Sequence, residues 1–177
     1  MQKVTYFGSA FNPPHLGHMD CIKQLSKEFD VIIVGPSYKH AFGKDMIEFK
    51  HRMNMLQLLI QESLTKEEQA KVIISNIEEQ LAYCCKNGPI YSYDVIDLLF
   101  KNYGNCTLAI GEDNYLVFDK FYKAEQIKNQ FGIVVTKENK AVRSTLLREK
   151  IKQHQDITEY SSLRVNHYIQ KNHLYQV

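Results

Sequence analysis

Short apolar segments alternate with longer amphipathic segments along this chain of 177 residues, and that alternation limits the folds open to it. Five short segments are rich in β-branched and aromatic residues: 4–7, 31–34, 72–74, 107–110 and 132–135. Several of them are continuously apolar, as strands are when both faces of a parallel sheet are buried. We therefore predict that these five segments are parallel strands.

The longer segments between the strands have helical periodicity. Met19, Ile22, Leu25 and Phe29, for example, recur at intervals of three and four residues. The same spacing occurs in the segments 49–60, 91–103 and 159–174, whereas the polar residues 65–70 are predicted to be a helix end and a turn. Strand–helix alternation of this kind predicts an α/β fold. We expect one domain over residues 1–177, a Rossmann-like doubly wound parallel sheet with a C-terminal helical segment.

Composition narrows the function classes. Lysine and arginine total 22 against 20 aspartates and glutamates, a net charge of +2, so neither nucleic acid nor a membrane surface is an expected partner. The first residues lead directly into a strand, which predicts no cleavable targeting segment and a cytoplasmic protein. The four cysteines, Cys21, Cys84, Cys85 and Cys106, have neither zinc-ribbon nor Cys-x-x-Cys spacing. We expect buried or half-buried free thiols.

Unusual residues follow the first strand, between Gly8 and His18. Ligands of doubly wound sheets bind at the carboxyl ends of strands. The prolines at 13 and 14 are suited to starting a helix, whose free amides would attract an anion, and Gly17 would let a ligand approach the backbone. His15 and His18 lie three residues apart and would share a helix face. They could be interior hydrogen-bonded groups or a metal pair, but no third metal ligand is nearby, and a pair that binds phosphate is favoured.

A second candidate anion site lies far downstream, at residues 143–148. Ser144 is a good helix N-cap, and Arg148 follows four residues later on the same face. A hydroxyl, free amides and a guanidinium would then meet at one phosphate. The alternative is a capped surface helix with a solvated arginine.

These two segments resemble the paired motifs of the nicotinate and nicotinamide mononucleotide adenylyltransferases, within the His-x-Gly-His nucleotidyltransferase superfamily. The first matches G-S-x-F-[ND]-P-x-H-x-G-H, and the second is similar to S-[ST]-T-x-[IL]-R, with Arg143 in place of the first serine. The resemblance implies that His15 and His18 are catalytic and stabilise charge on the ATP phosphates. It implies an ATP site formed by Gly8, Ser9, Phe11, His15, His18, Gly111, Asp113, Ser144, Thr145 and Arg148.

The resemblance continues through the middle of the chain and implies an acceptor site. Its residues would be Asn12, Tyr38, His40, Lys44, Arg52, Ser92, Tyr93 and Phe121. Either His40 or Lys44 would contact the acceptor phosphate, and Arg52 could instead be structural. Asp113 would bind a ribose hydroxyl, cap the next helix, or do both. The chain has no tryptophan, so Phe121 would replace the tryptophan on which family members stack the pyridine ring.

The activity implied is adenylyl transfer from ATP to the 5′-phosphate of a pyridine mononucleotide, with release of pyrophosphate, in NAD biosynthesis. Mg²⁺ would arrive with ATP, because the sequence has no compact carboxylate cluster for a metal site of its own. Two alternatives stay open: an adenylyltransferase of the same superfamily with another phosphorylated acceptor, and a non-catalytic nucleotide-binding module. The sequence also leaves open a homo-oligomer and the choice between nicotinate and nicotinamide.

Overall fold

Five parallel strands form the sheet in the computed structural model, which describes residues 1–39, 43, 45–84 and 88–177. The strands are β1 (Val4–Ser9), β2 (Val31–Pro36), β3 (Val72–Ile74), β4 (Thr107–Gly111) and β5 (Ile133–Thr136). Their order in the sheet is β3-β2-β1-β4-β5, and every pairing is parallel. The predicted α/β, Rossmann-like doubly wound fold is therefore confirmed.

Helices connect the strands and complete the C-terminal segment. They are α1 (Leu16–Ser26), α2 (Phe49–Ser63), α3 (Lys66–Ala70), α4 (Ile77–Cys84), α5 (Ser92–Tyr103), α6 (Glu112–Leu116), α7 (Ala124–Gln126), α8 (Ser144–Lys152) and α9 (Leu163–Lys171). A 3₁₀ turn covers Phe118–Lys120, and a π-helical turn covers Ile127–Phe131. Within the part of the chain described, none of the helices is both long and apolar enough to cross a membrane.

Three helix boundaries differ from the predicted ones. Residues 66–70 form a helix instead of a turn, because the Thr65 hydroxyl accepts from the amide of Glu68 and the Glu68 carboxylate accepts from the amide of Thr65. The first helix begins at Leu16, after the two prolines and not at them. The last helix covers only Leu163–Lys171, since Ser162 caps its start by accepting from the amide of Val165.

Both faces of the central strands are buried, whereas Ile73 of the edge strand β3 is exposed. Alternate residues of β1 and β2 point into separate apolar clusters, Phe7 and Val34 into one and Tyr6 and Ile33 into the other. The first cluster contains residues of α1, α2, α8 and α9, and the second contains residues of α4, α5 and the π-helical turn. Continuous apolar strand sequences are thus explained by helices packed on both sides.

The strand order reverses at β1. The chain runs outward through β2 and β3, then returns past β1 to β4 and β5. The carboxyl ends of β1 and β4 therefore diverge at the edge where doubly wound sheets bind ligands.

Two glycines opposite each other in neighbouring strands make room for the Tyr6 ring. Gly8 of β1 pairs with Gly35 of β2. A Cβ at Gly35 would lie 2.5 Å from the Tyr6 hydroxyl oxygen, and one at Gly8 would lie 2.9 Å from it. The Tyr6 ring lies against the backbone of these two glycines, and its hydroxyl donates to Glu78 (3.3 Å).

We predict that Gly35→Ala destabilises the protein by about 1–3 kcal/mol, because the added methyl collides with the buried Tyr6 ring, whose hydroxyl is bonded to Glu78. The measurement is urea unfolding of the variant and the wild type. Gly88→Ala is the matched control, since no described residue lies within 4 Å of the added methyl there. Equal stability of the two variants would contradict this account of Gly35.

Candidate active site

A cleft of about 860 Å³ opens at the carboxyl ends of β1 and β4. Nine residues predicted to bind ligand line it: Gly8, Ser9, His15, His18, Ser92, Gly111, Asp113, Phe121 and Ser144. The two motif segments meet here, because the Ser144 hydroxyl donates to the carbonyl of Pro13, 131 residues earlier in the chain (2.8 Å). The tertiary structure therefore brings the two segments predicted to bind an anion to one cleft.

The loop after β1 is held in place by side chains that donate hydrogen bonds to its backbone carbonyl oxygens. Four side chains donate to them: Arg52 to Ala10 (2.8 Å), Arg148 to Asn12 (2.7 Å), Ser144 to Pro13 (2.8 Å) and Ser161 to Pro14 (3.0 Å). These donors come from α2, from α8 and from the segment before α9. The loop is therefore positioned by the C-terminal half of the chain as much as by the strand it follows.

Several predicted ligand-binding residues lie behind the cleft and not in its described lining. Phe11 is fully buried between Phe7 and His18. Asn12 is buried, and its side-chain oxygen accepts from the Tyr175 hydroxyl (2.9 Å). Arg52 is 1% exposed and also donates to the carbonyl of Ile47 (3.0 Å). This arrangement matches the structural alternative for Arg52.

The remaining predicted residues outside the described lining are Tyr38, Tyr93, Thr145 and Arg148. The Tyr38 ring packs on Phe49, with ring centres 5.4 Å apart. The Tyr93 ring lies 4.1 Å from the ammonium of Lys123. The hydroxyl of Thr145 accepts from Arg148 (3.2 Å). His40 and Lys44, the two candidates for the acceptor phosphate, lie outside the described residues.

The two motif histidines stack on each other, with ring centres 3.7 Å apart. His18 Nδ1 accepts from the backbone amide of His15 (3.1 Å), and His18 Nε2 lies 3.2 Å from the Ser9 hydroxyl. Because Nδ1 is an acceptor, a neutral His18 carries its proton on Nε2. Nδ1 of His15 is buried and has no hydrogen-bond partner among the described residues.

Both histidines are difficult to protonate. Burial, with the charge of Arg143 as a second cause, lowers the pKa of His15 to about 4. The pKa of His18 is also well below its usual range, through burial first and then the charges of His15 and Arg143. The pair is therefore neutral at neutral pH and contributes N–H dipoles without a full charge.

Helix positions in both motifs differ from those predicted. His15, and not a proline, occupies the N-cap of α1. A Cβ at Gly17 would lie 3.0 Å from the His15 ring, so this glycine accommodates the histidine as well as leaving the backbone accessible. At α8, Arg143 is the N-cap, and Ser144 is the first helical residue. Ser144 is drawn away from a capping role because its hydroxyl donates to Pro13.

Arg143 bridges two loops at the cleft. Its guanidinium pairs with Asp113 after β4 (2.7 Å) and with Glu138 after β5. Asp113 lies in the first turn of α6, whose N-cap is Gly111, so the predicted capping role of Asp113 is wrong. The carboxylate is instead at the cleft surface, paired with arginine.

Glu78 is a cleft residue that the sequence analysis missed. It lies in the first turn of α4, after β3, and its two oxygens accept from the amide of Tyr38 (2.9 Å) and from the Tyr6 hydroxyl. Burial raises its pKa to about 7 against the opposing effect of these hydrogen bonds. Attention to the third strand's carboxyl end, where ligands of such sheets also gather, could have found it.

Aromatic side chains form one wall of the cleft. Tyr91, Phe121 and Tyr122 line it, and Tyr91 stacks on Tyr122 with ring centres 4.6 Å apart. Tyr91 and Tyr122 were not among the predicted site residues. Their proximity depends on how the segment after β4 packs against the start of α5.

The described cysteines are all free thiols. Cys21 is half-buried and Cys106 is buried, as predicted. Cys84 is exposed, contrary to prediction, because it ends α4 at the protein surface. Cys85 lies outside the described residues.

The described carboxylates near the cleft already have protein partners. No group of three or more histidine, cysteine, aspartate or glutamate side chains in the described ranges could hold a metal ion. Asp113 and Glu138 are occupied by Arg143, and Glu78 by Tyr6 and Tyr38. The donor set fits a metal that is coordinated mainly by a bound ligand and water.

Comparison with known proteins finds a matching family, similar sequences and similar structures. Residues 6–167 match the family described as cytidylyltransferase-like. The nicotinate-nucleotide adenylyltransferase of Bacillus subtilis is 26% identical over 199 residues, covering 99% of this chain and all of the relative. A crystal structure of a Vibrio parahaemolyticus protein assigned as a nicotinate-nucleotide adenylyltransferase has a TM-score of 0.83 at 29% identity, covering 99% and 96% of the two chains.

A more distant structure supports the fold alone. The Plasmodium falciparum nicotinic acid mononucleotide adenylyltransferase, solved with NaAD, has a TM-score of 0.81 at 18% identity. The match covers 99% of this chain and 98% of that one.

We predict that His15→Gln removes part of the acid sensitivity of the fold. Between pH 6.5 and about 4 the unfolded chain binds a proton at His15 and the folded protein does not, so acid favours unfolding. The wild type should lose on the order of 2–3 kcal/mol more than the variant over that range, and the difference should be constant above pH 6.5. Urea unfolding at several pH values measures it. The exposed His167→Gln is the control, and identical pH profiles for wild type and His15→Gln would contradict the prediction.

Proposed function

Because the chain belongs to the cytidylyltransferase-like family, we propose that it is a nucleotidyltransferase that makes a dinucleotide for NAD biosynthesis. It transfers the adenylyl group of ATP to the 5′-phosphate of a pyridine mononucleotide and releases pyrophosphate. The observation that carries the proposal is the junction of the two motif segments in one cleft, through Ser144 and Pro13. The names of the relatives favour nicotinate mononucleotide as the acceptor.

The ATP phosphates are proposed to bind between the starts of α1 and α8. Each helix offers the positive end of its dipole, although in α1 the amides of Leu16 and His18 already donate to the carbonyls of Tyr160 and His15. Ser9 and His18 add a hydroxyl and an Nε2–H from the floor of the cleft. Arg148, bonded to Asn12 and Thr145, holds the loop and the start of α8 together beside this site.

The reaction needs little covalent chemistry from the protein. An oxygen of the acceptor's 5′-phosphate forms a bond to the α-phosphorus of ATP as the bond to pyrophosphate breaks. Positioned donors stabilise the charge that builds on the phosphate oxygens. His18 is proposed as one such donor. The backbone amide of His15 donates to its Nδ1, which leaves the ring proton on Nε2, beside Ser9. Both His18 and Ser9 line the cleft.

Mg²⁺ is proposed to enter as part of the MgATP substrate. The ion neutralises phosphate charge and keeps several of its waters. The cleft supports this view, because no three metal-ligating side chains of the described residues come together there.

The acceptor's pyridine ring is proposed to bind at the aromatic wall. Phe121, which the resemblance places where the family has its tryptophan, lines the cleft beside Tyr122, and Tyr91 stacks on Tyr122. An aromatic face holds a planar ring by offset or edge contacts. The Ser92 hydroxyl, at the start of α5, lies on the same side of the cleft.

The proposal also includes the setting of the enzyme. Residues 1–177 act as one nucleotidyltransferase domain, since Ser144 and Tyr175 both bond to the loop after β1 that borders the cleft. Free thiols support a reducing, cytoplasmic location. The predicted absence of nucleic-acid and membrane partners, and any homo-oligomer, stay predictions.

Pyrophosphate release tests the function. With ATP and Mg²⁺, we expect turnover with nicotinate mononucleotide, slower turnover with nicotinamide mononucleotide and none with phosphopantetheine. Binding of ATP without turnover on any acceptor would support a non-catalytic module and contradict the proposal.

We predict that His18→Ala lowers turnover by about 10²–10³-fold, the usual loss when one preorganised donor to a developing charge is removed. The fold should survive, as judged by an unchanged unfolding curve at pH 7. His167→Ala on α9 is the control and should retain wild-type turnover. Near-normal adenylyl transfer by His18→Ala would exclude His18 from the chemistry.

We predict that Phe121→Ala raises the Michaelis constant of the acceptor by about tenfold and changes that of ATP by less than twofold, because the aromatic contact is made to the pyridine ring. Steady-state kinetics with each substrate varied in turn measures the split. Tyr122→Ala tests whether the neighbouring ring shares the contact. Equal effects on both substrates would mean that the ring is held elsewhere.

A further inference from the structure

We propose that Arg143 is an additional ATP-binding residue, held by two carboxylates in the free protein and transferred to the phosphates beyond the α-phosphorus when ATP binds. The inference rests on the proposed function, because it takes ATP as the ligand of the cleft. Arg143 stands where the resembling motif has serine, so the contact would be a property of this chain and not of the pattern it otherwise follows.

The position of Arg143 supports the proposal. The residue is the N-cap of α8, directly before Ser144, and it lines the cleft. Its guanidinium lies between the loops after β4 and β5, the two strands on one side of β1. A planar guanidinium at a helix start can bind phosphate oxygens at two points.

The charge of Arg143 reaches the floor of the cleft. It contributes, after burial, to the low pKa values of both His15 and His18. A group whose charge is felt at the two motif histidines is close enough to act on the phosphates proposed to bind there. Lys137 and Lys140 also line the cleft. Arg143 differs from them because it is paired with two carboxylates, whereas neither lysine is paired with a described carboxylate.

The two carboxylates can release Arg143 at low cost. The side chains of Arg143, Asp113 and Glu138 are 52%, 66% and 30% exposed, and ion pairs in contact with solvent contribute little free energy. Asp113 is also the residue implied to bind a ribose hydroxyl. Binding of the ATP ribose would therefore draw Asp113 away from Arg143 as the phosphates approach it.

The alternative is that Arg143 is only a clamp between the loops after β4 and β5. Glu138 separates the two interpretations. If Arg143 is a clamp, removing the charge of Glu138 loosens the cleft and weakens ATP binding. If Arg143 is held for phosphate, removing that charge frees the guanidinium and strengthens ATP binding.

The experiment is titration calorimetry of the wild type and of Arg143→Ser, Glu138→Gln and Lys152→Ser with ATP and with AMP, without acceptor. We expect Arg143→Ser to weaken ATP binding about tenfold, the loss of one charge-assisted contact, and to leave AMP binding within about twofold. We expect Glu138→Gln to strengthen ATP binding about threefold. Lys152→Ser controls for the loss of one positive charge, because Lys152 lies exposed at the far end of α8.

Misfolding is not expected to confuse the result. Serine is a preferred N-cap, so Arg143→Ser provides α8 with a cap, and the melting temperature should not fall. Arg143→Lys keeps the charge but loses two-point contact, and its ATP affinity should lie between those of wild type and Arg143→Ser.

Three outcomes would overturn the proposal: weaker ATP binding by Glu138→Gln, equal losses for ATP and AMP in Arg143→Ser, or no ATP binding by the wild type. Failure of the proposed function has a different signature. In that case the wild type binds ATP, the Arg143 pattern holds, and no pyridine mononucleotide supports pyrophosphate release.

Discussion

The structure depends on hydrogen bonds that hold one loop in place, each accepted by a backbone carbonyl oxygen of that loop. Side chains from α2, from α8 and from the segment before α9 donate to the loop between β1 and α1. Arg52 does so from the interior, where burial lowers its pKa and hydrogen bonds to Ala10 and Ile47 compensate for its charge. The loop that carries the motif histidines is thus supported from behind by charged and hydroxyl donors, and its other side is left for ligand.

The packing of this loop also explains why His15 and His18 are neutral. His15 and His18 are stacked, and His18 also packs against the fully buried Phe11, so a charge on either is poorly solvated. The proposed phosphate site, built on neutral N–H donors, avoids repulsion between two adjacent imidazoliums. Positive charge is placed instead at the rim, on arginine and lysine that remain in water.

Sequence patterns predicted the framework better than the surroundings of the site. The five strands, their parallel arrangement and the segments that meet in the cleft could be predicted, because apolar periodicity and motif spacing are local properties. The roles of Ser144, Phe11 and Asn12 could not be read in the same way. Ser144 is of the type that caps helices, yet it donates to Pro13, a contact that depends on packing between residues 131 apart. Glu78 was missed because no motif marks it and only its burial beside Tyr6 sets it apart.

By itself, the sequence determined the alternation of strands and helices and the chemical character of the two candidate anion-binding segments, since both follow from the order of side chains along a short stretch of backbone. Only the tertiary structure decided which of those side chains reach the cleft and which support it from behind. Arg52, Arg148 and Arg143 are identical in kind, but one is buried under the loop, one joins the loop to α8 and one pairs with carboxylates at the rim. The physical reason is that an arginine's role depends on its solvation and its partners, and those are fixed by residues distant in the chain.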